Sequence, residues 1–280
     1  MRETREWRVG LALLNRPIWP LVNLIEIISL AGGFRRLDAL LNELPDEIDM
    51  NCGIYSDPAG ILAPYEDLID PLLNPDDTFH LKILNGTKEL SPIDAQKAYL
   101  KQKILERELE AINSLLCSPL RCNLCCTGPG QKDSQLFFEI PLTTEEVSIF
   151  SVRSVRDNQS LSSNPYEDPP LMVDGLPFYE KTPVIIYWSH GPGLILGKGV
   201  RCPRLSHDNR CTIYEWRPNT CRRPQIFPYV IDKKPDRSIF TMENKLLAII
   251  DCPYVQALKA EIHTYASYSG LDLIIAANKF

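Results

Sequence analysis

Eight cysteines between Cys117 and Cys252 constrain this chain more than any other feature. They read Cys117-x4-Cys122-x2-Cys125-Cys126, then Cys202-Pro203-x7-Cys211-x9-Cys221, and finally Cys252-Pro253. Thiolate is a soft ligand that selects zinc, copper(I) or iron–sulfur clusters. The Cys122-x2-Cys125 spacing lets two loop sulfurs reach one metal centre. Neighbouring side chains diverge, so Cys125 and Cys126 suit two centres, or different irons of one cluster, better than a single tetrahedral ion. Eight sulfurs fill two four-sulfur sites, which fits two zinc ions, two clusters or one multinuclear assembly.

The compartment follows from the same residues. The cysteines total nine, an odd number that does not complete a disulfide set. The start, Met1 to Arg8, mixes charges and shows no cleavage site, so a reducing, cytoplasmic setting is expected, with ligand cysteines. The apolar run Ile18–Leu30 contains Pro20, Asn23 and Glu26, falls short of about 20 clean apolar residues, and predicts a buried helix without a membrane partner. A net charge of -6 argues against a broad nucleic-acid-binding face. Arg121, Arg201, Arg204, Arg210, Arg217, Arg222 and Arg223 lie close in sequence to the cysteines. There they would offset thiolate charge and donate hydrogen bonds to sulfur.

The pattern predicts an α+β chain: a helical N-terminal region over residues 1–110 with Pro/Asp-rich loops, then a small mixed cysteine-cluster metal-binding domain over 111–280. Pro17 and Pro20 open a helix that Gly32-Gly33 ends, and a short helix follows over Phe34–Leu44. Residues 45–90 read as loops and turns, with Cys52 an incidental thiol. Ser91, Pro92 and Asp94 start a helix whose apolar stripe includes Leu100, Ile104, Leu109, Ile112 and Leu116. Lys101, Lys103, Glu106, Arg107, Glu108 and Glu110 are expected to face water on it, and it leads directly into Cys117. Further on, Leu136–Ile140 predicts a strand, Thr143 with Glu146 a capped helix to about Asp157, and residues 158–183 a polar loop. Val184–Trp188 reads as a strand, and His190-Gly191-Pro192-Gly193 as a turn. Strands follow over Ile226–Ile231 and Ser238–Met242, joined by an Asp232–Arg237 turn, and a last helix spans Pro253–Tyr268. Cys252 then stands at a helix N-cap, where backbone N–H groups favour a thiolate.

Two further readings bear on the centre. Cys202-Pro203 and Cys252-Pro253 match the Cys-Pro ending of ferredoxin cluster motifs. Ile213–Pro218 predicts one helical turn that packs Tyr214 and Trp216 over the metal loop, and His207 is an alternative ligand between Cys202 and Cys211. A complete phosphate loop, His-Glu-x-x-His and Cys-x-x-Cys-His are absent from the sequence, so catalytic residues stay unassigned.

The run Cys211-x-Ile213-Tyr214-x2-Arg217-Pro218-x2-Cys221-Arg222, behind the first cysteine group, resembles the CxxCxxCC cysteine-cluster family of zinc- or iron-chelating proteins. The likeness spans roughly residues 115–255. Here four residues separate Cys117 from Cys122 where the family usually has two, which sets Cys117 apart from its partners. The resemblance implies metal or cluster binding in a cytoplasmic-type protein. Flagellin lysine N-methylases look like distant relatives. Three functions follow as expectations: an iron–sulfur protein, 4Fe–4S in type, with a redox or enzymatic role; a structural zinc module engaging a protein partner; or a methyltransferase-like enzyme using S-adenosylmethionine. The expected metal ligands are Cys117, Cys122, Cys125, Cys126, Cys202, Cys211, Cys221 and Cys252.

Overall fold

The computed structural model describes residues 4–120, 122–233 and 239–277. Its helices and mixed sheets make an α+β chain. The backbone gathers into two units: Met1–Leu120 together with Gln225–Phe280, and Arg121–Pro224 between them in sequence. The sequence reading places one boundary near residue 110, whereas the contacts cut the chain after Leu120 and again after Pro224.

The discontinuous unit is built on the helix Pro92–Cys117. Ser91 caps it: its hydroxyl accepts the Asp94 backbone N–H at 3.2 Å and donates to the Asp94 carboxylate at 2.6 Å. Leu105, Leu109, Ile112 and Leu116 are fully buried along its inner face. That face packs on the strand Ile226–Lys233 and the helix Arg5–Asn15. Glu108 departs from the expected solvent-facing set: it is 3% exposed and points into the core. The central strand, Phe240–Ile249, runs antiparallel to Ile226–Lys233. Along its other edge it pairs in parallel with Ile83–Asn85 and then with Asp272–Ala276.

A register shift between Tyr229 and Ile231 bends the outer strand, and Gln102 of the long helix satisfies the groups it frees. Its side-chain nitrogen donates to the Pro228 carbonyl at 2.7 Å, and its oxygen accepts from Val230 N–H at 2.6 Å. Gln102→Ala would leave a buried donor and acceptor unmatched. We expect it to cost about 2–4 kcal/mol in urea unfolding; a loss below about 0.5 kcal/mol would mean that water replaces the amide.

Residues 45–90 are more ordered than the sequence suggests. The hairpin Glu47–Met50 with Gly53–Ser56 carries Cys52 in its turn, where the thiol lies 3.0 Å from the Tyr55 hydroxyl. A helix over Glu66–Leu73 tolerates Pro71 near its end. The last helix is broken at Leu258 into Pro253–Ala257 and Lys259–Tyr268. The predicted strand from Ser238 is seen as Phe240–Ile249; Ser238 and most of the preceding turn lie outside the described residues. Among the described residues no single helix is long and apolar enough to cross a membrane, and Arg5–Asn15 with Ile18–Gly32 passes only as a pair bent by 48°.

The second unit holds a four-stranded sheet in the order Phe137–Pro141, Gly191–Gly197, Val184–Trp188, Ser154–Val155. One face buries Phe178, Val184, Ile186, Trp188 and Ile195. The other buries Ile140, Ile185, Leu194 and Leu196, with Cys202, Ile213 and Cys221 packed on it. Two expectations fail here. Thr143 and Glu146 do form their reciprocal cap, but the helix stops after one 3-10 turn at Ile149 and the chain extends at Phe150. Val147, Ile149 and Val152, packed on the sheet, favour an extended path over more turns. The predicted turn at His190–Gly193 is only its first part, because Gly191–Gly197 is a full strand. The expected polar loop 158–183 also contains the helix Asn158–Ser162 and a small hairpin, Met172–Val173 with Leu176–Pro177.

Candidate metal centre

Short turns position the cysteines of the second unit. A 3-10 turn over Leu124–Cys126 is closed by Cys126 N–H on the Asn123 carbonyl at 2.9 Å. The chain then pairs with the segment at 200–202: Cys202 N–H donates to Cys126 O at 2.7 Å and Gly128 N–H to Val200 O at 2.8 Å. A bridge between Thr127 and Arg201 joins the two segments. This pairing sets Cys126 beside Cys202. Beyond it, Leu205 bridges to Cys211, with a tight turn between them in which Asn209 takes a positive φ of 61°. Finally, Cys221 N–H donates to the Pro218 carbonyl at 2.9 Å, opening the helix Asn219–Arg222.

Gly128 is needed because the backbones approach so closely: a Cβ there would overlap the Gly197 carbonyl oxygen. Gly128→Ala should therefore disrupt the pairing that sets Cys126 by Cys202, costing on the order of 3 kcal/mol, and lower bound metal. At Gly130 an added Cβ meets only the movable Asp133 carboxylate at 3.1 Å. Equal metal loss from Gly130→Ala would show that the effect is not specific to that pairing.

Five thiols act on one another electrostatically. The Cys126 thiol is held well above its usual range by its hydrogen bond to Cys125, then by burial and by the charges of Cys125, Cys202 and Cys221. Burial, with Cys125, Cys202 and Cys211, pushes Cys221 up to about 12, against a smaller opposing pull from Arg217. Burial likewise raises Cys202 and Cys211, and both also feel Cys125. Cys125 is thus the neighbour common to the other four. Uncompensated buried thiols of this kind titrate late, and a bound cation lowers them by stabilising the thiolates. Cys122 lies one turn earlier, where its sulfur accepts the Leu124 backbone N–H at 3.4 Å.

Cys117 and Cys252 belong to the other unit. Cys117 ends the long helix and packs against the unit's core. Cys252 is 6% exposed in that same core and takes the N-cap position ahead of Pro253, without a side-chain capping hydrogen bond. Asn113, four residues before Cys117, accepts through its side-chain oxygen the hydroxyl of Tyr254, two residues after Cys252, at 2.5 Å.

The arginines divide by role. Arg217 lies over the Tyr214 ring at 3.7 Å and donates to the Tyr214 carbonyl at 2.8 Å and to the Cys221 carbonyl at 3.5 Å. Its charge lowers Cys211 and Cys221. Arg204 holds the Ile149 carbonyl at 2.7 Å through its Nε and helps to lower Cys202. Arg201 binds Ser206 O at 2.6 Å and Asn209 Oδ1 at 3.0 Å, bracing the turn, and Arg210 pairs with Asp208 at 3.1 Å. Arg121 lies outside the described residues. His207 is exposed at the turn tip, and Trp216, expected over the metal loop, is 77% exposed.

The donor set fits a soft metal, being sulfur-rich and flanked by cations. Among the described residues, no group of three or more His, Cys, Asp or Glu side chains is already arranged to hold a metal ion. The thiols are gathered but not caged. The pairing of 126–128 with 200–202 had no signal in the sequence beyond two glycines, Gly128 and Gly199.

Comparison with known proteins agrees with this chemistry. Residues 116–245 match the family model CxxCxxCC, described as "Putative zinc- or iron-chelating domain". A search of curated proteins and a search of solved structures gave no match. Over residues 116–245 the chain is therefore similar to the CxxCxxCC family.

Proposed function

We propose that the cysteine centre is an iron–sulfur site, 4Fe–4S in type, serving a redox or enzymatic role in a reducing, cytoplasmic setting. The observation that carries this reading is the gathering of five thiols, two of them adjacent in sequence, around Cys125. A tetrahedral zinc ion and a 4Fe–4S cluster each take four protein ligands, so the adjacency of Cys125 and Cys126, and not the number of thiols, favours the cluster. A multinuclear centre accommodates adjacent sulfurs on different metal atoms. In this proposal the cluster takes its four ligands from Cys122, Cys125, Cys126, Cys202, Cys211 and Cys221. Such a cluster supplies one-electron chemistry tuned by charge and hydrogen bonding around its sulfurs. This chain's part is to bury those sulfurs and to set Arg204 and Arg217 beside them.

Anaerobic purification followed by iron, sulfide and zinc analysis tests the proposal. Iron and sulfide in matched amounts, with a broad visible absorption bleached by dithionite, are the expected result. A colourless protein holding stoichiometric zinc and no sulfide would replace this reading with the structural zinc module.

A further inference from the structure

The sheet face turned away from the cysteines carries a buried carboxylate that the metal centre does not use. Alternation along Phe137–Pro141 puts Phe137 and Glu139 on this face, with Ile140 on the other. The Glu139 side chain is 7% exposed, and its Oε1 makes no hydrogen bond. The half-exposed His190 ring stands beside that oxygen, with Nε2 at 3.5 Å. A buried carboxylate this poorly matched is costly.

The surroundings say what would match it. The adjacent strand has glycine at 191 and 193, which share this face, and the Glu139 carboxylate lies over Gly193. A Cβ at Gly191 would meet no atom within 4 Å, so the strip is open beside the carboxylate. Trp188 pairs with Gly191 across the sheet, and its buried indole N–H also lacks a partner. Phe137, two residues before Glu139 on the same strand face, carries a ring on which Tyr166, 78% exposed, stacks at 5.9 Å. Tyr166 also feels the Glu139 charge. Aromatic faces around one buried anion attract a weakly hydrated organic cation more than a hydrated metal ion.

We propose that the Gly191–Gly193 strip, with the Glu139 carboxylate and the rings of Phe137, Tyr166 and Trp188, binds an organic ammonium group of a primary or methylated amine. The carboxylate pairs with the ammonium and the rings cover its alkyl part. Gly193 admits the carboxylate itself, and Gly191 leaves open room beside it. This site is independent of the metal and of its identity.

Titration calorimetry on the full, metal-loaded protein tests it, with butylammonium and tetramethylammonium as probes and pentan-1-ol and 2,2-dimethylpropan-1-ol as uncharged counterparts. The expected result is saturable binding of at least one ammonium, with a shift of the Trp188 indole resonance. Glu139→Gln should weaken binding at least about tenfold while metal content and thermal midpoint hold. A parallel titration with Nα-acetyl-lysine methylamide distinguishes a free amine from one presented on a polypeptide, and binding in either arm supports the site. Equal binding of the alcohols, no binding of any ammonium, or unchanged binding by Glu139→Gln would overturn it. So would a drop in thermal midpoint shared by Glu139→Gln and His190→Gln, which would mark a structural ion pair.

Discussion

Cys125→Ser is expected to strip the cysteine centre of its metal, reducing content from stoichiometric to a small residue, and to unfold the unit around it in the metal-loaded protein. Cys125 influences all four of its thiol neighbours, so its loss removes the shared member of the set. Metal binding of this kind is coupled to folding and contributes on the order of 10 kcal/mol in structural thiolate sites, far more than one packed thiol. The contrast is the diagnostic. In metal-free protein the same change should cost no more than about 1 kcal/mol, since Cys125 is only half-buried and serine keeps its shape. Cys52→Ala is the control: its thiol lies in the other unit, beside the Tyr55 hydroxyl, and metal content should not change. Full metal retention by Cys125→Ser, or loss of a metal equivalent with Cys52→Ala, would break the ligand assignment.

Stability should fall as pH rises from about 5 to above 8, and Glu108→Gln should flatten most of that fall. Burial pushes the Glu108 carboxyl from 4.5 up to about 8, outweighing two donors that act the other way: the Ile18 backbone N–H at 2.7 Å and the Tyr265 hydroxyl at 2.6 Å. Because the folded protein holds this proton more tightly than the unfolded chain, the stabilisation is complete below the unfolded value. It is lost as pH climbs through the folded one. Each pH unit inside that window is worth up to about 1.4 kcal/mol, so the whole span amounts to on the order of 4 kcal/mol. Glutamine keeps an acceptor for Ile18 and stays neutral. Urea unfolding at pH 5 and pH 8.5 should therefore show wild type and Glu108→Gln nearly equal at the lower pH and the variant more stable at the higher one. Parallel pH dependence in both proteins would place the titrating group elsewhere.

The parts of this molecule legible in its sequence are those governed by local chemistry. The long helix announces itself through Ser91, Pro92 and a steady apolar stripe, and it ends at Cys117 as expected. The soft-metal chemistry follows from cysteine count and spacing, and the family match agrees with it. What escaped is decided across distance. Glu108 lies within a run of charged residues and reads as solvated, yet its place in the bundle turns it inward to Ile18 and Tyr265. Thr143 and Glu146 form a sound helix start, but the β-branched residues after it find the sheet first. Glycines at 191 and 193 look like a turn because no local signal records the flanking strands that straighten them. Asp272–Ala276 was not read as a strand, since its partner among the described strands lies across two helices in a parallel pairing. Nor does spacing alone tell that six of the eight candidate cysteines fall in one unit and two in the other.

The discontinuity of the first unit has a consequence for biosynthesis. Its long helix leaves the ribosome with the strand it packs on, Ile226–Lys233, still unmade, so much of its apolar face waits while the whole of Arg121–Pro224 emerges. Domains fold largely in the order in which they are made, and the cysteine unit is complete before the scaffold that flanks it on both sides. Metal can therefore reach the cysteines of that unit on a nascent chain whose long helix still lacks its strand partner.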